Sequence, residues 1–339
     1  MKAAKIFKGL DFKWNEWTGA FGDLATFIPL FLGLVLVAGL PPGRTLILVG
    51  CFYIITALVF KLPIPVQPLQ AVAAIVMAKK LGMPILEAAG IEMGVLLLAL
   101  AFTGSVYWLE KIFDKTIIKG IQFGVGLMLM VAGLNFIFHA SGSAGLHPLQ
   151  ASFSFPGLSL FLPAFFLLVV PQIPLTLGNA VYAASDLAHE YFKERAKKVT
   201  PKNLLVSLGF ANLVMGGAGG LPVCHGSEGL TGHYRFGART GGATLILGSY
   251  FIFLGLVFPG QIYHLLSLIP QVVLGLMLFY IGFCHAWLIR GLKEKQWIAA
   301  AMGLTALFTS NLSYSLLLGL VLEYLLQSPR LEGVKTPVI

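Results

Sequence analysis

Charge is what this chain has least of. Only 11% of its 339 residues are charged, against 57% hydrophobic, and the mean hydropathy is +0.86. A soluble domain of that length has no use for such a composition, whereas a chain that crosses a membrane many times requires it. Cysteine is scarce as well. Cys51, Cys224 and Cys284 form no CxxC pair, which argues against a disulfide framework and a cysteine zinc site. There is no HExxH, no paired-aspartate motif and no Ser–His–Asp order, so the residues do not support a membrane-embedded enzyme, and no metal or cofactor is expected. No polar stretch is long enough for a soluble domain. The +9 net charge therefore belongs to loops at a membrane face and not to a nucleic-acid surface. The opening MKAAKIFKGLDFKWNEWTGA is basic and amphipathic, without a small-residue cleavage site, and reads as a cytoplasmic or interfacial leader over residues 1–14.

What is present is a succession of apolar runs from residue 19 to residue 327, several of them too short to cross a bilayer alone, notably 69–79 and 225–236. The runs at 69–79 and 225–236 each follow a break, LPIPVQP in one case and GGAGGLPVCHG in the other. Short, Gly/Pro-interrupted segments at corresponding positions of two halves point to a binding site between inverted repeats. The correspondence is numerical: Pro65-Val66 and Pro222-Val223 differ by 222 − 65 = 157 residues, and the same shift brings Gly22-Asp23 within one residue of Gly178-Asn179. The expected fold is all-α and integral to the membrane. Its two inverted repeats of seven elements cover 15–170 and 171–327, with runs 156–170 and 171–189 as separate elements and a weak sixth crossing near 139–152. Basic loops such as 190–202 (EYFKERAKKVTPK) then fall on the cytoplasmic side together with both termini, the tail being 328–339.

A half-helix that begins inside the membrane leaves its first N–H groups unpaired, and its dipole presents positive charge to an anion. Gln67 and Gln70 lie at the first such start; Cys224, His225, Gly226 and Ser227 lie at the second. No Lys or Arg accompanies them. Neutral donors of this kind suit a compact oxyanion better than a phosphate ester held by arginine, although the same groups could simply satisfy one another where the helices break. Thr176 and Asn179, on one face of the helix written VVPQIPLTLGNAVYAASDL with Gln172, could face the site or bond between helices. Two carboxyls are candidates to carry a coupling proton. Glu228 lies three residues past His225, with a structural pairing to Arg235 or His233 as its alternative. Asp23 is the second, with a helix cap near the cytoplasmic surface as its alternative. Arg235 and Arg239 read as headgroup anchors.

PIPVQPLQAVAA, GGLPVCHGSEGLTGHYRFGARTG, GAFGDLATFIPL and PQIPLTLGNAV, all present here, resemble signature motifs of the molybdate transporters of plants and microbes, relatives of the SulP sulfate permeases without a STAS domain. The resemblance spans about residues 15–260. It implies the seven-plus-seven inverted-repeat fold of SLC26 and nucleobase transporters, with core and gate domains, and molybdate uptake as the activity. The second signature usually reads CHGAGGLAGQYRFG, so Ser227, Glu228, Thr231 and His233 are departures; Leu69-Gln70 departs from the usual continuation of the first. The partners expected are a small oxyanion, a coupling proton, the lipid bilayer and a second copy of the chain in a homodimer, with no nucleic acid. Sulfate, tungstate or a nucleobase as cargo on the same fold, and an uncoupled anion path, are the alternatives.

Overall fold

The computed structural model describes residues 8–138, 155–259, 261, 264 and 268–327, whose regular secondary structure is helical apart from two two-residue strands. The weak sixth crossing expected near 139–152 lies outside the described residues, as do 1–7 and the tail 328–339. In order come α1 (Trp14–Ala38, with a tight turn at Phe21–Asp23), α2 (Pro42–Phe60), β1 (Gln67–Pro68), α3 (Gln70–Lys79), α4 (Met83–Thr103), α5 (Val106–Ile112) and α6 (Lys115–Phe138). There follow α7 (Leu158–Ala196), α8 (Pro201–Gly217), β2 (Val223–Cys224), α9 (Ser227–Arg235), α10 (Gly242–Val257), α11 (Gln271–Trp287), α12 (Gln296–Thr309) and α13 (Leu312–Gln327). Six helical stretches among the described residues are long and apolar enough to cross a membrane.

One expectation is corrected. The apolar runs 156–170 and 171–189 are a single helix, α7. Pro171 and Pro174 each remove an N–H and crowd the carbonyl one turn back, which suggests a break. The helix instead widens into π turns on either side, over Phe165–Val169 and Thr176–Ala183, and continues.

Two groups of helices are evident. The larger holds α1–α4 and α7–α10; the smaller holds α6 and α11–α13, with α3, α1 and α7 touching it along one side. Glycines bring antiparallel pairs to backbone contact within each group. Between α2 and α10, a Cβ at Gly50 would stand 2.6 Å from the carbonyl oxygen of Gly248, and one at Gly255 2.6 Å from that of Gly43. Between α6 and α11, a Cβ at Gly126 would stand 2.6 Å from the carbonyl oxygen of Gly282, and one at Gly275 2.6 Å from that of Gly133. In each helix the two glycines are two turns apart and so recur on one face.

The two short helices meet head to head. β1 pairs antiparallel with β2, Gln67 opposite Cys224 and Pro68 opposite Val223, and the Leu69 N–H donates to the Pro222 carbonyl at 3.0 Å. Because each strand runs straight into its half-helix, an antiparallel pairing sends α3 and α9 away from the crossing in opposite directions. The crossing is fully buried, so its backbone groups need partners. Asn212 of α8 supplies two for Val223, accepting from its N–H and donating to its carbonyl, both at 2.8 Å.

Candidate functional site

At the crossing, α3 opens with Gln70 and α9 opens with Ser227 and Glu228. The Glu228 side chain lies between the two helix starts. Its Oε1 accepts from the Gln70 amide, and its Oε2 accepts from the Asn179 amide at 2.8 Å. Asn179 sits in the second π turn of α7, and its Oδ1 accepts from the Ser227 hydroxyl and, at 3.4 Å, from the Ser227 N–H. Four of the expected residues thus form one connected set. They come from α3, α7 and α9, and no lysine or arginine bonds to them among the described residues. A carboxylate is itself a small oxyanion. The arrangement is one in which an anion already engages both amide donors.

The backbone donors of the two half-helices are not equally open. The α3 start is capped by Gln172, whose Oε1 accepts from the Ala71 N–H at 2.9 Å and the Val72 N–H at 3.3 Å. The Gln172 amide in turn donates to Thr176 Oγ1 at 3.2 Å, so Thr176 stands one link behind the site. Gly226 caps α9 with nothing in place of its side chain. A Cβ there would run into the Gln67 side chain and lie 3.0 Å from a Glu228 oxygen.

Three residues expected at the site make contacts outside that connected set. Gln67 points to Asp23 Oδ1, which accepts from its amide, while Gln67 Oε1 is buried without a hydrogen-bond partner. Cys224 is buried, its thiol 3.6 Å from the Pro68 carbonyl. The His225 ring donates from Nδ1 to the Pro65 carbonyl at 2.7 Å, and its Nε2 is 2.9 Å from Ser207 Oγ. Neither ring nitrogen is left for cargo.

Asp23 belongs to a second polar cluster, fully buried and not a helix cap. Besides Gln67 it accepts from the Tyr53 hydroxyl at 2.6 Å, and His233 Nε2 lies 4.0 Å from its Oδ2. Gln67 therefore connects this cluster to the crossing. Glu228 pairs with neither Arg235 nor His233. Arg239 stacks over the Tyr234 ring, 3.9 Å from its centroid.

Sequence reasoning missed Gln172 as a cap, Tyr53, and His285. His285, on α11, is buried with Nε2 unpartnered and within Coulombic reach of Glu228. A lone polar residue in an apolar span carries a weak signal, and for Tyr53 and His285 that was the only one available.

The family model described as "Molybdate transporter of MFS superfamily" matches residues 15–129 and 164–284. Molybdate transporter 2 of Arabidopsis thaliana is 28% identical, covering 94% of this chain and 88% of its own length. Molybdate transporter 1 of Chlamydomonas reinhardtii is 23% identical over 91% of this chain and 90% of its own. Among solved structures, the transmembrane domain of a cyanobacterium bicarbonate transporter, BicA, superposes with a TM-score of 0.63 at 15% identity, covering 90% of this chain and 96% of that one. SLC26A9 superposes with a TM-score of 0.57 at 12% identity, covering 92% of this chain and 64% of that one. Both share the inverted-repeat fold, with core and gate groups, that the antiparallel crossing displays here.

Proposed function

Since the chain belongs to the molybdate transporter family, we propose that it imports molybdate, binding it where α3 and α9 begin. The protein is a multi-pass membrane transporter of small anions and not an enzyme. The observation that carries the finer reading is the pair of bonds from Gln70 and Asn179 to the two oxygens of Glu228. Two neutral donors from different helices converge on one oxyanion, at the positive ends of two helix dipoles. Molybdate takes those donors when Glu228 releases them. Protonation is the simplest release, because a neutral carboxyl competes poorly for amide donors and no longer repels a dianion. Uptake is then coupled to a proton on Glu228, with Asp23 as the second candidate.

The remaining arrangement follows the same reading. The second repeat begins with α7, earlier than the 170/171 division suggested by the sequence offset, and both termini are cytoplasmic: the basic 190–202 loop belongs there, and the start of α1 lies at the same end, Thr18 bonding the Phe236 carbonyl beside the Tyr191–Tyr234 stack. A homodimer is the proposed assembly.

Radiolabelled molybdate uptake by the purified protein in proteoliposomes tests the function, with tungstate and sulfate as competitors. Saturable uptake blocked best by unlabelled molybdate or its near-isostere tungstate supports it. Uptake of sulfate in preference to molybdate overturns the substrate, and flux that never exceeds equilibrium overturns the coupling.

A further inference from the structure

A cavity of about 510 Å³ lies on the outer side of the larger helix group, between α2 and α8. Its walls are apolar: Ile55, Val59, Phe210 and Val214 line it and are each 43–54% exposed, so it opens outward and not toward the crossing. Its charged end is where Lys198 and Asn203 stand, and the one other polar side chain lining it, Ser207, is engaged with His225. From Asn203 to Val214 the groove follows eleven residues of α8, about 16 Å at 1.5 Å per residue, which is about half of a 30 Å hydrocarbon core. It is as long as one leaflet is thick.

The polar end sits in the basic run KERAKK. Lys197 there is paired with Glu194 at 2.8 Å, but among the described residues Lys198 has no carboxylate partner, and its side chain is exposed. Asn203 is anchored by its amide to the Lys198 carbonyl at 2.9 Å, which holds the two residues side by side. An apolar trough with one cationic end matches a molecule with an acyl chain and one anionic head. Basic pockets between membrane helices on a cytoplasmic face take anionic phospholipids in this way.

We propose that the α2–α8 groove binds one anionic phospholipid, an acyl chain lying along Ile55, Val59, Phe210 and Val214 and the phosphate at Lys198 and Asn203. The groove also has a bearing on the crossing behind it. Ser207, in its wall, bonds the His225 ring, which bonds Pro65 and packs edge-on against Phe60 with ring centroids 6.3 Å apart. A chain seated in the groove rests against the wall that carries the half-helix junction.

The test is binding of phosphatidylglycerol to the purified full chain, followed by thermal unfolding and by native mass spectrometry, with phosphatidylcholine and inorganic phosphate as separate arms. Phosphatidylglycerol is expected to stabilise the protein more than phosphatidylcholine does, and inorganic phosphate to do nothing. Lys198→Gln weakens phosphatidylglycerol by about fivefold, the equivalent of about 1 kcal/mol for one basic side chain near an anionic surface. Val214→Trp fills the trough and removes the preference; should that variant fail to fold, Lys198→Gln decides alone. Equal responses to the two lipids, stabilisation by inorganic phosphate alone, or an unchanged phosphatidylglycerol affinity in Lys198→Gln overturns the proposal.

Discussion

Asp23 of the first helix and His233 of the second half-helix stand 4.0 Å apart, Oδ2 to Nε2, with both side chains fully buried. The other ring nitrogen of His233 donates to the Gly19 carbonyl at 2.8 Å, which fixes the ring and leaves Nε2 without a hydrogen bond. Two titratable groups more than 200 residues apart in sequence thus face each other at the inner end of the Gln67 bridge. The pair joins α1 to α9, and Gln67 links it to the crossing.

Asp23→Ala is expected to destabilise the protein by about 2–5 kcal/mol, because it strands the Tyr53 hydroxyl and the Gln67 amide as unpaired buried donors. Tyr53→Phe removes one donor and leaves Asp23 its other partner, so its cost is nearer 1 kcal/mol. Chemical denaturation of the two detergent-solubilised variants checks the order.

Gln70→Ala and Asn179→Ala should each weaken molybdate binding by about 1–3 kcal/mol, the value of a buried charge-assisted bond. Ser227→Ala acts indirectly, by freeing the Asn179 amide to turn, and costs less. Gln67→Ala falls mainly on stability because its amide is engaged by Asp23. Isothermal titration beside thermal unfolding separates the two effects; equal affinity in all four variants would move the site away from the crossing.

For Glu228 the sign of the pH effect follows from the bonds. The ionised carboxylate holds Gln70 and Asn179 against the cargo, whereas the protonated group releases them. Molybdate affinity should therefore be lower at high pH than at low pH. Glu228→Gln should bind at least as tightly at the high end, show a flat pH profile, and exchange labelled molybdate without accumulating it. Titrations at several pH values and uptake with an imposed pH step read both; a wild-type profile in the variant would pass the proton role to Asp23.

Gln172→Ala should cost about 0.5–2 kcal/mol, the range for losing a helix cap, since the Ala71 and Val72 N–H groups lose their acceptor. Gln172→Glu keeps an acceptor at the positive end of α3 and should recover most of that loss. Thermal unfolding of the two variants provides the comparison.

The half-helices were legible because proline and glycine interrupt spans that are then too short to cross, a signal written into consecutive residues. Gln70, Asn179, Ser227 and Glu228 were legible for the same reason, as polar groups beside those breaks or in the matching helix. What they do to each other was not. Glu228 lies 49 residues from Asn179 and 158 from Gln70, so their bonds are set by how α3, α7 and α9 pack. The contacts of Cys224 and His225 were not legible either, because the pairing of β1 with β2 and the bonds of the His225 ring to Pro65 and Ser207 join residues far apart in the chain. Pro171 and Pro174 misled. Two prolines three residues apart read as a break, and local sequence does not reveal that π turns on each side absorb them.

The paired glycines have a consequence for how the molecule can move. α2 comes from the first half of the chain and α10 from the second, and so do α6 and α11, yet each couple is pressed backbone to backbone. Pulling either couple apart would forfeit contacts along two full turns. Any working motion therefore spares both couples and shears along the looser boundary between the larger and smaller helix groups. The chain's two halves, though alike in plan, cannot act as the two jaws of a clamp: each jaw is stitched from both.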